Sequence, residues 1–203
     1  VAVSAYELEA LPVPAPDAGV SYDFGCYVTR GSDQEPTQQC LPAGKGKTGA
    51  PCAGSSDCAA GYACIGDLNA AQCRPYCCGD PESCPESTFC AERPQRDGAL
   101  VVPVCVPADN CNLAEQYPCP AGSTSTCKGD TACMVVRDKV TSCVTPGSGK
   151  EGESCPCAWG FLCNKAIDQC LKLCSVGSSS GECGSQKCTP APYLPTGWGV
   201  CAQ

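Results

Sequence analysis

Apolar residues occur in short, interrupted runs. Tyr6, Leu8 and Ala10 alternate with Glu7 and Glu9, a period of two that turns one face of a strand to a surface and the other to solvent. Pro12, Pro14 and Pro16 follow at every second place and favour an extended, polyproline-type spacer. Arg96-Asp97-Gly98 precedes Leu100-Val101-Val102, a turn and then a strand. Met134-Val135-Val136 is separated by charged residues from Val140-Thr141. Such spacing predicts short β-hairpins between irregular loops, with little helix. No run reaches 18 apolar residues, so no membrane span is expected.

Composition explains how such short elements could hold. The 203 residues include 24 Cys, 22 Gly and 19 Pro, but three Phe and two Trp. Cysteine at roughly 12% marks a disulfide scaffold. With so few large apolar side chains, cross-links must replace burial, each contributing about 2–4 kcal/mol. An even count without a C-x-x-C motif fits an oxidising compartment, so the expected location is secreted or cell surface. A thiolate metal site is the weaker reading, because the chain has no His and a single C-x-C, Cys155 and Cys157. No metal and no other cofactor is expected. Cys77 and Cys78 are adjacent and Cys155 and Cys157 nearly so. Neither pair closes without strain, so each cysteine should reach elsewhere.

The cysteines repeat over a long period. Cys52, Cys58, Gly61, Cys64, Cys73 and Cys77 return as Cys155, Cys157, Gly160, Cys163, Cys170 and Cys174. Upstream, Cys26-Tyr-Val-Thr-Arg30 leads to Cys40 and a Gly/Lys-rich turn; Cys133-Met-Val-Val-Arg137 leads to Cys143 and a similar turn. Downstream, Cys84, Cys90 and Cys105 match Cys183, Cys188 and Cys201. Four cysteines remain for a joint: Cys78, Cys111, Cys119 and Cys127. The expected organisation is an N-terminal extended arm and Pro-rich spacer (1–25), a first Cys-rich unit (26–110), a joint (111–132) and a second unit (133–203). A smaller echo, Cys84-x5-Cys90…Cys105-Val against Cys127-x5-Cys133…Cys143-Val, suggests alternating hairpin and ladder modules. The expected fold class is a small disulfide-rich protein of tandem cysteine-knot-like modules with short β-hairpins, little helix and an elongated outline.

At the two ladders the sequence resembles the cysteine-rich repeats of Dickkopf and colipase-like proteins, and more loosely EGF-like modules. The matching residues are Cys52, Cys58, Gly61, Cys64 and Cys73, with Cys155, Cys157, Gly160, Cys163 and Cys170. Those families pair first with third and second with fourth. The resemblance therefore implies Cys52–Cys64, Cys58–Cys73, Cys155–Cys163 and Cys157–Cys170, although Cys155-x-Cys157 departs from the usual gap. Cys26, Cys40, Cys90, Cys105, Cys133, Cys143, Cys188 and Cys201 are also expected in bridges. Pro16-Asp-Ala-Gly19 beside such repeats resembles exported proteins of myxobacteria, which implies an extracytoplasmic bacterial home.

Little in the sequence points to catalysis. A formal charge of −8 without a basic run excludes a phosphate-backbone binder, so no nucleic acid is expected. Gly177-Ser178-Ser179-Ser180-Gly181 satisfies G-x-S-x-G, but a nucleophile elbow needs a His that the chain lacks. Ser125-x-x-Lys128 lies in a Ser/Thr-rich loop. The acid pairs Glu7/Glu9, Asp80/Glu82 and Glu151/Glu153 read as solvated charge, since glycoside hydrolysis needs two acids across a shaped cleft. Asp109-Asn110-Cys111 resembles the start of a calcium-binding EGF module. Ca²⁺ needs six or more oxygens and the other acids are missing, so calcium is the less favoured reading. Tyr62 and Phe161 hold equivalent places after the ladder glycine and suit packing against disulfides. Trp159 and Trp198 stand opposite Ala60 and Val102 and suit contacts particular to the second half.

The chain is therefore read as a non-enzymatic extracellular structural or adhesive protein, a filament or surface-coat subunit. Its expected partners are copies of itself, contacted through Val1, Val3, Tyr6, Leu8 and Leu11. The alternative is a secreted binding module or protease inhibitor.

Overall fold

The computed structural model describes residues 23–31, 35–77, 83–96, 100–118, 124–178 and 181–202. Twelve short strands, all paired antiparallel, carry the fold. β1 (Phe24–Arg30) pairs β2 (Pro36–Pro42), β3 (Tyr62–Ile65) pairs β4 (Gln72–Pro75), and β5 (Thr88–Pro94) pairs β6 (Val101–Pro107). β7 (Ala132–Arg137) pairs β8 (Val140–Val144) across a two-residue turn in which Lys139 has φ 58°. β9 (Phe161–Asn164), β10 (Gln169–Ser175), β11 (Lys187–Pro190) and β12 (Trp198–Ala202) make a four-stranded sheet in the order β11-β12-β10-β9. Among the described residues the helical content is a 3-10 turn at Ser55–Asp57 and the single residue Ser83, and no helix is long and apolar enough to cross a membrane.

Every hairpin sets two cysteines directly opposite each other: Cys26 and Cys40, Cys64 and Cys73, Cys90 and Cys105, Cys133 and Cys143, Cys163 and Cys170, Cys188 and Cys201. In five of these the facing cysteines do not join each other. Each bonds a cysteine upstream of the hairpin, first with third and second with fourth. The bridges are Cys52–Cys64 and Cys58–Cys73; Cys77–Cys90 and Cys84–Cys105; Cys111–Cys133 and Cys127–Cys143; Cys155–Cys163 and Cys157–Cys170; Cys174–Cys188 and Cys183–Cys201. The first hairpin is the exception: Cys26 and Cys40 close on each other across β1 and β2, with Cα atoms 4.1 Å apart. Cys78 and Cys119 lie outside the described residues.

This pairing revises two expectations. The supposed hairpin and ladder modules are one kind of module, a looped segment fastened twice to the hairpin that follows it. The expected boundary between a joint (111–132) and a second unit beginning at 133 falls inside the third module, because Cys111–Cys133 and Cys127–Cys143 tie the segment to β7 and β8.

The duplication is visible bond by bond. Gly44 N–H donates to the Cys58 carbonyl and Gly147 N–H to the Cys157 carbonyl, at 3.0 and 2.8 Å. Tyr76 N–H donates to Gly61 and Leu173 N–H to Gly160, both at 2.9 Å. The isolated bridge Tyr76↔Val104 of the first half becomes the β10–β12 pairing Leu173↔Val200 in the second. The Gly/Lys-rich turns also acquire a reason. A Cβ on Gly44 would sit 2.1 Å from the Asp57 carbonyl oxygen, and one on Gly147 2.1 Å from that of Pro156. Backbone lies flat on backbone there, and only glycine fits.

Bridges alone do not unite the modules. An apolar cluster gathers Ala63, Ile65, Phe89, Val102, Val104 and Val106, with Val28, Val136 and Val144 packed against it. Strands from four successive hairpins contribute, so the first half and β7–β8 share a core while keeping separate sheets. Tyr27 seats the first hairpin: it is fully buried, and its hydroxyl donates to the Cys58 carbonyl at 2.7 Å.

Candidate functional site: a groove among three modules

The β5–β6, β7–β8 and β9–β10 hairpins enclose a groove of 880 Å³. Met134, Val135 and Val136 of β7 form its floor. Ala91, Glu92 and Arg93 of β5 line it, as do Phe161 and Cys163 of β9 and Lys165. Val135, Val136, Cys163 and Lys165 also line an adjoining cavity of 310 Å³, together with Arg137, Asp138, Leu162, Asn164 and Tyr193. Both lie in the size range of ligand sites.

Local sequence shapes this floor. The β7–β8 register passes from Val135↔Thr141 to Arg137↔Val140, leaving Val136 without a partner. A bulge of this kind bends the strand and redirects side chains. Just beyond it, the Arg137 guanidinium donates to the carbonyls of Cys84 at 2.6 Å and Pro85 at 3.1 Å, fixing the second module against the third.

Among the described residues the outer edge of β7 is unpaired. Asn110 N–H donates to the Thr141 carbonyl and Cys143 N–H to the Asp109 carboxylate, each at 3.0 Å, so both β8 groups point away from β7. Antiparallel pairs alternate strictly between bonded and non-bonded residues. Cys133 and Val135, opposite Cys143 and Thr141, must then turn their own N–H and C=O groups outward from β7, where no described strand pairs. The first hairpin differs. Tyr76 and Gln95 cap Val28 on the outer edge of β1, at 3.4 and 3.0 Å. The free edge of β2 begins and ends with Pro36 and Pro42, which lack N–H groups and protect an edge from pairing.

The residues singled out in the sequence are dispersed. Tyr62 packs on the Cys58, Cys64 and Cys73 cluster, whereas its counterpart Phe161 lines the groove. Trp159 meets Tyr117 with ring centroids 6.3 Å apart. Trp198 packs against both the Cys111–Cys133 region and the Leu173, Leu194 and Val200 cluster. Asp109 accepts from the Ser142 hydroxyl at 2.7 Å and from Cys143 N–H, so this carboxylate fastens its own module. Ser125 donates to Glu115, which also accepts from Thr126 N–H at 3.1 Å and Cys127 N–H at 3.4 Å. These donors, the Ser125 hydroxyl foremost, hold the Glu115 carboxyl down at about 2. Glu153 accepts from Lys150 N–H at 2.7 Å. Ser178 sits exposed beside Gly177, while Ser179, Ser180, Asp80, Glu82 and the contact residues Val1, Val3, Tyr6, Leu8 and Leu11 lie outside the described residues.

Five sulfur triplets, such as Cys52, Cys58 and Cys73, lie within 4.8 Å of one another. Each triplet consists of sulfurs from two stacked bridges of one module, so their closeness has a disulfide cause. The groove itself has no sequence signature, because its lining comes from segments as distant as Phe89 and Lys165. No protein-family model, curated protein or solved structure matches this chain.

Proposed function

We propose that the protein is an extracellular structural or adhesive subunit that joins further copies of itself through residues 1–11. The observation that carries this reading is where the polar chemistry goes. Asp109, Glu115 and Arg137 all hold the chain's own loops together, while the groove among three modules presents Met134, Val135 and Phe161 beside a strand edge that no described strand pairs. Such a surface takes up protein chain more readily than it performs chemistry. Eleven bridges among the described residues suit an oxidising, extracytoplasmic setting.

Sedimentation and electron microscopy of the full chain beside a variant lacking residues 1–14 test the reading. The full chain should assemble at high concentration, and the truncated one should stay a folded, fully oxidised monomer. Polymerisation of the truncated chain, or a monomeric full chain, refutes it.

A second reading, a secreted inhibitor or binding module, is favoured by one feature. The equivalent turns after β3 and β9 present Leu68, 66% exposed, and Ile167, 55% exposed. An aliphatic tip on a disulfide-fastened turn is what a protease-binding loop requires. Inhibition of a serine protease panel, lost on Leu68→Asp or Ile167→Asp, would support it over the first.

A further inference from the structure

The geometry points to the groove over β7 as the acceptor for residues 1–11 of a second copy, which add there as a strand with Tyr6 and Leu8 in the apolar walls. This rests on the subunit reading above and gives it a specific contact.

Three observations converge. The first is backbone supply. The outward N–H and C=O groups of Cys133 and Val135 offer an incoming strand a ladder in the same place where Val135 lines both cavities. The edge of β2, by contrast, has six of its seven residues exposed and prolines at both ends, which leaves the outward donors of Gln38 and Cys40 without an apolar wall. The second is side-chain fit. Strand addition draws specificity from pockets for alternate residues, and Tyr6 and Leu8 alternate with Glu7 and Glu9. Phe161 and Leu162 supply apolar surface for the first pair. The third is charge. Residues 1–11 carry two acids and no Lys or Arg, and the groove is lined by Arg93 and exposed Lys165 against a single acid, Glu92. The sequence of the spacer favours a second copy over the same chain: Pro12, Pro14 and Pro16 favour an extended connection of about 3.1 Å per residue, which suits reaching outward rather than folding back. Each copy then offers one segment and one groove, and a head-to-tail contact of this type builds an open filament or, where the rotation closes, a ring.

Photocrosslinking of the full chain tests this directly. A benzophenone side chain replaces Tyr6, and ¹⁵N-labelled and unlabelled copies are mixed before irradiation. Light-to-heavy cross-links to peptides containing Val135 or Leu162 are the expected result. Cross-links within one copy, or to the β1–β2 hairpin, overturn the proposal. Reversing both basic groove residues, Arg93→Glu with Lys165→Glu, should weaken association at least about tenfold, since attraction becomes repulsion. Adding Glu7→Lys and Glu9→Lys should restore it, a rescue that a merely misfolded variant would not show. Unchanged association of the reversed groove, or failure of the rescue, counts against the groove. If removing residues 1–11 abolishes assembly while cross-links map elsewhere, the subunit reading survives and the groove assignment falls. If the full chain does not associate at all, both fall.

Discussion

Gly147→Ala is the sharpest test of how the modules are built. An alanine Cβ at this position would lie 2.1 Å from the Pro156 carbonyl oxygen and 2.4 Å from its carbon. Both atoms are backbone, so no side chain can swing aside. Relief requires separating two segments now joined by Gly147 N–H to Cys157 at 2.8 Å and Gly149 N–H to Pro156 at 3.1 Å. Overpacking of this kind costs about 1–3 kcal/mol, and two weakened hydrogen bonds add about 1 kcal/mol each. The expected loss is therefore about 3–5 kcal/mol, confined to the fourth module because its two bridges stay within it. Amide hydrogen exchange by mass spectrometry, with disulfides intact, should show faster exchange across 147–170 and little change in the first module. Gly44→Ala should do the same to 44–73, since its Cβ would meet Asp57 at the same 2.1 Å. Gly54→Ala is the control, with its nearest foreign atom at 4.0 Å. If Gly147→Ala and Gly54→Ala protect their modules equally, close backbone approach is not the reason for the repeated glycines.

Other outcomes follow from the bridges and from Glu115. Alkylation without reductant should add no mass to the chain, and peptide mapping should recover first-with-third and second-with-fourth pairs in all five modules; two or more alkylated thiols would contradict full oxidation. Replacing Cys111 and Cys133 together by Ala frees a separation of 22 residues and should cost about 3.4 kcal/mol, against about 2.5 kcal/mol for Cys155 and Cys163, whose separation is 8. Denaturant titration of the two double variants gives the ranking. The Glu115 carboxyl, at about 2 in the fold, is depressed from its ordinary range. Its stabilisation of the 112–127 loop is thus complete above that range and lost as pH falls toward 2. Protection of Thr126 and Cys127 amides should fade over that window, and Glu115→Gln should flatten the profile.

Much of this architecture is legible in the sequence. Met134-Val135-Val136, three charged residues and Val140-Thr141 give β7 and β8 because apolar runs flank a turn. The repeated glycines mark the two halves, since a required absence of side chain recurs with the geometry requiring it. The bridges are less legible. Facing cysteines such as Cys90 and Cys105 are neighbours in register, yet their true partners depend on where the preceding loop delivers Cys77 and Cys84. Spacing does not encode that delivery. Nor does it encode the groove, which exists because Phe89, Val135 and Phe161, far apart in sequence, come to line one concavity. The divergence of Tyr62 and Phe161 makes the same point: equivalent residues in a duplication acquire different neighbours once the halves pack.

The facing cysteines also set a problem of timing. A hairpin closes in about 1–10 μs and at once brings its two opposite thiols together. In the first hairpin that encounter gives the native Cys26–Cys40 bridge. In the other five it gives the wrong one, because each facing cysteine belongs to a partner upstream. The fastest oxidation is thus the incorrect oxidation in five hairpins of six. A nascent chain reaches its mature form by exchange, with an upstream thiolate attacking the cross-strand bridge and releasing the second thiol for its own partner. Maturation therefore calls for a thiol donor or isomerase beside the oxidant, and a purely oxidising bath should trap the chain as a ladder of separately stapled hairpins.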